Sequence, residues 1–215
     1  MKLYGHVNRK SPNSFKLLVA LAEANANYEY VPVDLASGVQ RKPDFLAINS
    51  HGKVPVLVDG DFTLPESDAI LWYVAESFPE AGLLPAPGDG SVAARRRRAR
   101  TLQWCDFAST AVYPAYYDVY LHTASLALEK RNAAIAEAAT QRFLRAMGVL
   151  ESALGALPYI AGSYSIADIG LASVVQMAKI RLPGDPTNHP SINAWMHRVS
   201  TRPAWEKTLA SAGTG

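Results

Sequence analysis

Apolar positions near the start of the chain change period several times, and each change marks an element. Lys2 to Gly5 alternates as a short strand, Pro12 to Glu23 carries Phe15, Leu17, Leu18, Ala20 and Leu21 at helical spacing, and Tyr28 to Val33 alternates again. PDFLAIN, from Pro43, predicts a short helical turn. Val54 to Val58 and Phe62 to Leu64 predict a hairpin across Asp59-Gly60, a dipeptide suited to the positive φ angles of a type I′ turn. Ser67 to Phe78 predicts a helix. The resulting order is β-α-β-α-β-β-α, with the first two strands made parallel by a right-handed crossover and the hairpin adding antiparallel strands to the same sheet.

Past Phe78 the strand signal stops. FPEAGLLPAPGDGS, residues 78 to 91, is rich in Pro and Gly and reads as a linker. Helical patterns then run over 92 to 122, broken or bent near Pro114, over 129 to 156, Ser165 to Ile180, Ile192 to Thr201 and Ala204 to Ala210. The expected organisation is therefore an α/β domain over residues 1–78, a linker over 79–91 and an all-α helical bundle over 92–215. No repeat of solenoid length interrupts it.

Composition narrows the function classes. The chain has 215 residues, 49% of them hydrophobic, enough for a real core, and a formal charge of +2, too mild to single out nucleic acid or a membrane surface. The arginine-rich run over residues 94 to 100 reads as a solvated or subunit-facing helix stripe. Its single cysteine, Cys105 in LQWCDF, excludes a disulfide framework and reads as a small core residue. No signal-peptide run or membrane span is evident, so a soluble cytoplasmic protein is expected, without nucleic-acid or membrane partners. The five histidines form no HExxH-type ligand set, so no metal is expected.

Two local features carry chemistry. Ser11-Pro12 has the form of an N-cap followed by Pro at the first helical position, which gathers a hydroxyl and free N–H groups at the positive end of a helix. Glu66-Ser67 stands at the start of another helix, directly after a hairpin whose first strand contains Pro55. Ser165 to Asp168 is a capping box, a folding device.

YGHVNRKSPNSFKLLVALAE, KVPVLVDGDFTLPESDAILWYVAE, GLLP and SIADIGLASVV together resemble the cytosolic glutathione S-transferases, in the family's order and over essentially the whole chain. VPVL followed by ESDAI is the most specific part, and the hydroxyl before the first helix resembles the serine-type classes of bacterial, phi, theta or nu-like character. The resemblance implies a thioredoxin-like N-terminal domain that binds glutathione, an all-helical domain that shapes the electrophile pocket, and a homodimer.

Site residues follow from the resemblance combined with the chemistry of the tripeptide. Lowering a thiol pKa by about 2 units takes roughly 3 kcal/mol, within reach of one hydrogen bond to a charged group plus a helix terminus. Ser11 is the expected thiolate partner, and Asn13 the second candidate or co-ligand, with Ser14 and Tyr4 behind them. The family's proline is cis, implying that Val54 and Pro55 offer a backbone edge to the cysteinyl unit. Glu66 is implied to accept from the ligand's ammonium and Ser67 to hold its γ-glutamyl carboxylate. Lys53 and Arg41, with Gln40 beside it, are implied cations for the glycyl carboxylate; His51 could reach the same edge. For a small hydrophobic electrophile, Tyr113, Tyr116 and Tyr117 are the expected pocket residues. Alternatives are a glutathione-binding protein with little turnover, or glutathione-dependent disulfide reduction or dehalogenation.

Overall fold

The computed structural model describes residues 1–8, 11–86 and 91–212; the middle of the expected linker and the last three residues lie outside the described residues. A four-stranded sheet has the order β2-β1-β3-β4, with β1 Lys2–His6, β2 Glu29–Val33, β3 Val56–Asp59 and β4 Phe62–Pro65. β1 and β2 are parallel, and β3 and β4 antiparallel, as the crossover and hairpin signals predict. Two details differ. Asp59 pairs with Phe62, so the loop residues are Gly60 and Asp61 rather than Asp59-Gly60. Gly60 has φ 61° and Asp61 has no positive φ, the pattern of a loop with glycine first. β3 begins at Val56 rather than Val54, after a cis Val54-Pro55 bond.

Three helices accompany the sheet: α1 Pro12–Glu23, α2 Pro43–Ile48 and α3 Ser67–Ser77. α1 is covered almost all round, with Phe15, Leu17, Val19, Ala20 and Leu21 at 0% exposure. Part of that cover comes from far along the chain. The compact units are Met1–Leu84 with Thr201–Gly215, and Pro85–Ser200. The expected helical domain over 92–215 therefore gives up its last helix, α9 Pro203–Ala212, to the first unit. Trp205 meets Phe15 edge to face at 5.0 Å between ring centres, and Arg202 forms a two-pronged ion pair with Glu23 at 2.6 and 2.9 Å. A helix as apolar as α1 needs a second covering layer, and α9 supplies it.

The second unit is helical: α4 Val92–Phe107, α5 Tyr113–Tyr120, α6 Ala133–Leu154, α7 Ile166–Arg181 and α8 Pro190–Ser200. No break occurs at Pro114. π-helical turns over Ala108–Val112 and Leu121–Ser125 carry α4 continuously into α5 and beyond. The Tyr113 N–H reaches back to the Ala108 carbonyl, and this widened turn accommodates a proline that has no N–H to give. α7 forms the centre, with Ile166, Ala167, Ile169, Leu171, Ala172, Val175 and Ala178 at 0–1% exposure.

The capping box is present at the start of α7. Asp168, fully buried, accepts from the Ser165 N–H at 3.0 Å, the Ile160 N–H at 3.0 Å and the Trp195 indole at 2.8 Å. Burial pushes its carboxyl above the ordinary aspartate range, and these hydrogen bonds oppose that rise. Cys105 is buried, as a small core residue should be. On α4, Arg95, Arg96, Arg97 and Arg100 are exposed, whereas Arg98 donates to the Pro85 carbonyl at 2.9 Å.

Candidate functional site

Strand register brings the implied glutathione residues to one end of the sheet. Tyr4 lies opposite Val56, the last pair between β1 and β3, so the Val54-Pro55 segment enters β3 at that end of the sheet. Val56 lies opposite Pro65, the last pair between β3 and β4, so Glu66-Ser67 follows β4 at the same end. The start of α1 is tied to the same end because the His6 N–H donates to the Ser14 hydroxyl at 3.2 Å. Ser11, Val54-Pro55 and Glu66-Ser67 thus share one edge of the first unit.

Ser11 is half-buried at the N-cap of α1 with extended backbone, φ −73° and ψ 130°, and its side chain makes no capping hydrogen bond. An ordinary cap would spend that oxygen on a helix N–H; here it is not so used. Asn13 is half-buried in the first turn. Ser14, one of the lesser alternatives, is fully buried and its oxygen is occupied by His6. Tyr4, the other, packs edge-on against Phe45 at 6.3 Å and belongs to a core cluster with Val33, Phe45 and Val56. Val54 packs on the same cluster.

Glu66 has φ 69° and ψ 112°, a conformation that side chains other than glycine rarely adopt. That backbone turns β4 into α3 and leaves the α3 start without a side-chain cap. Ser67 is 9% exposed there, its helix N-terminus suited to a carboxylate. The Glu66 carboxylate is exposed and lies 3.5 Å from the His51 imidazole, so the loop before Lys53 reaches this end. Lys53 and Arg41 are both exposed. Their segments pack together: Gly52, at φ 60°, leaves room where a Cβ would stand 3.1 Å from the Gln40 carbonyl. Asn49 secures the loop by donating to the Lys53 carbonyl at 2.8 Å.

Periodicity did not mark two residues of this edge, Lys16 and Asp68. Lys16 on α1 is 4% exposed, and its ammonium meets the Asp68 carboxylate, next to Ser67, at 2.6 Å. The one available signal was a lysine inside the apolar run FKLLVALA.

The three tyrosines lie in the second unit, and their environments differ. Tyr113 and Tyr117 stack at 5.7 Å with planes 11° apart, and Tyr117 is 41% exposed. Burial pushes the Tyr113 phenol up to about 12, with Tyr117 and Tyr116 adding to the rise, so it remains a protonated donor. Tyr116 departs from the expectation of a pocket-facing ring. It is 1% exposed and its hydroxyl accepts from Arg181 at 3.0 Å, because the helical period turns it into the core. Arg181 also lies 4.9 Å from the Tyr120 ring centre. Among the described residues, no cluster of three or more His, Cys, Asp or Glu could hold a metal, and no helix is long and apolar enough to cross a membrane.

Comparison with known proteins identifies the family and the fold. Residues 1–76 match the glutathione S-transferase N-terminal domain, and residues 133–198 the C-terminal domain. Glutathione S-transferase 3 of Zea mays is 33% identical over 98% of this chain and 94% of its own. Disulfide-bond oxidoreductase YfcG of Escherichia coli (strain K12) is 32% identical over 95% and 94%. The theta class glutathione S-transferase of Xanthomonas axonopodis pv. citri, solved with glutathione bound, superposes with a TM-score of 0.84 at 28% identity, covering 97% of this chain and 96% of that one. The chain belongs to the glutathione S-transferase family.

Proposed function

We propose that the protein conjugates the thiolate of glutathione to a small hydrophobic electrophile, with Ser11 as the thiolate partner and Asn13 beside it. The supporting observation is the Ser11 hydroxyl, which stands at a helix start without serving as its cap. Ser11 donates a hydrogen bond to sulfur, the thiol proton leaves to solvent, and the thiolate forms a bond to electrophilic carbon. In a substitution the leaving group departs with its electron pair; in an addition the neighbouring atom takes a proton.

Val54 and Pro55 present backbone to the cysteinyl unit, Glu66 receives the ammonium, and Ser67 with the α3 N–H groups holds the γ-glutamyl carboxylate. Lys53 and Arg41 face the glycyl carboxylate. Tyr113 and Tyr117 line the electrophile pocket. The protein acts as a cytoplasmic homodimer, a reading supported by family membership and by its lone, buried cysteine.

The test is titration of glutathione while following thiolate absorbance, together with turnover of an aryl halide. Absence of glutathione binding sinks the proposal; binding without turnover leaves only a binding protein. Similarity to an enzyme named disulfide-bond oxidoreductase supports a second reading, glutathione-dependent disulfide reduction. Glutathione would supply the reactive thiol there, since the buried Cys105 is not exposed to a substrate. The products separate the two, a thioether in one case and glutathione disulfide in the other.

A further inference from the structure

His6 closes β1 where the pairing with β3 has already stopped. Residues along a strand turn their N–H and C=O groups alternately to one neighbour and the other. Met1 accepts from the Glu29 N–H and Val7 donates to the Val33 carbonyl, both on the β2 side, so the N–H and C=O of His6 face the β3 side. β1 and β3 pair only as far as Tyr4 opposite Val56. Two side-chain hydroxyls meet His6 there: that of Ser14 accepts from its N–H at 3.2 Å, and that of Tyr30 donates to its carbonyl at 2.6 Å. Tyr30 comes from β2 and lies across Gly5, where a Cβ would stand 2.5 Å from the Tyr30 oxygen. Ser14 carries the grip onward into α1. It is fully buried, and its own N–H donates to the Ser11 carbonyl at 3.1 Å, beside that of Phe15 at 2.8 Å. The Ser11 hydroxyl makes no capping bond, so its aim is set by a backbone that is held from His6 through Ser14.

We propose that Ser14, braced by Tyr30 through the backbone of His6, is a positioning residue for the Ser11 hydroxyl: the two side chains fix the join of β1 to α1 so that this hydroxyl meets the glutathione sulfur. This rests on the reading of Ser11 above and adds its support. The other contacts assigned to the tripeptide, from Arg41, Lys53, Val54, Glu66 and Ser67, lie outside α1. Aim at the sulfur and affinity for the rest of the ligand are therefore separable. Replacing either hydroxyl changes no charge near neutral pH, so a shift in the titration of the thiol reports geometry.

Thiolate absorbance of bound glutathione across pH, with calorimetric binding of S-methylglutathione, which cannot ionise at sulfur, tests it on the full chain. Ser14→Ala should raise the bound-thiol pKa by roughly 0.5 to 1 unit, part of the rise that Ser11→Ala causes, and bind S-methylglutathione within about twofold of the wild type. Tyr30→Phe should shift the pKa in the same direction. On a Ser11→Ala background neither should shift it further, because the hydroxyl they aim is gone. An unshifted thiol in either single variant, whatever its melting temperature, means a scaffold only and overturns the proposal. So does a further rise on the Ser11→Ala background, or a loss of S-methylglutathione affinity as large as the change at the thiol. If Ser14→Ala does not fold, Tyr30→Phe decides by the same readings. A wild type that binds neither ligand defeats the glutathione reading, and a Ser11→Ala protein whose thiol titrates as in the wild type defeats the role of Ser11; each takes the proposal with it and is distinct from the outcomes above.

Discussion

On the proposed function, a single oxygen at Ser11 separates binding from catalysis. Hydrogen bonds to charged groups contribute about 1.5 to 3 kcal/mol, so Ser11→Ala should raise the bound thiol pKa by roughly 1 to 2 units. The pH–rate profile gives the sign: the variant loses most rate below neutrality and converges on the wild type at high pH, where any thiol ionises. A uniform loss at every pH would instead mean misplaced substrate. Glu66 gives a second residue-scale prediction. Its φ of 69° strains a residue with a Cβ, by roughly 1 to 3 kcal/mol, and glycine would relieve it. Glu66→Gly should therefore melt no lower than the wild type in a circular-dichroism scan while binding glutathione about 10-fold more weakly. Both residues were legible in the sequence because each sits beside local punctuation, Pro12 in one case and the hairpin in the other. Lys16–Asp68 was not legible, since its partners lie 52 positions apart and no one-dimensional pattern pairs them.

Among the elements, α8 shows how one helix can depend on another. Glu151 of α6 accepts from the N–H groups of Ser191 and Ile192 at 3.0 and 2.9 Å, satisfying the first turn of α8 from outside. Burial alone would raise the Glu151 carboxyl, but these hydrogen bonds outweigh it and hold it below the ordinary glutamate range. A depressed folded-state pKa means stability present above the unfolded value and lost as pH falls through the folded one. Glu151→Gln should accordingly lower the melting temperature near neutral pH, and the gap should close as the buffer is taken below about pH 4. A gap unchanged with pH would show that shape, not charge, is what α8 needs. Element identities were readable from period alone, whereas the path past Pro114 was not. Proline reads as a break unless a π turn takes up the missing donor, and that depends on packing around Val112, which is 0% exposed.

On the scale of the molecule, the first unit is assembled from two separated stretches of chain. Trp205→Ala would empty the space against Phe15, a loss of about 3 to 5 kcal/mol. Because α1 carries Ser11, the same variant should weaken glutathione binding together with stability. Unchanged binding in a protein with a lowered melting temperature would show that α9 supports the core without aiming the site. The sequence reading assigned α9 to the helical half because amphipathic spacing says which face is buried, not which partner buries it. The return of α9 also sets an order of events during synthesis. A ribosome delivers β1 through α3 first, yet the face of α1 beneath Trp205 waits uncovered until the whole helical unit has been made. A nascent chain paused at Ser200 would then display a folded helical unit beside an unfinished glutathione unit, open to proteases or chaperones at α1 until the final helix closes it.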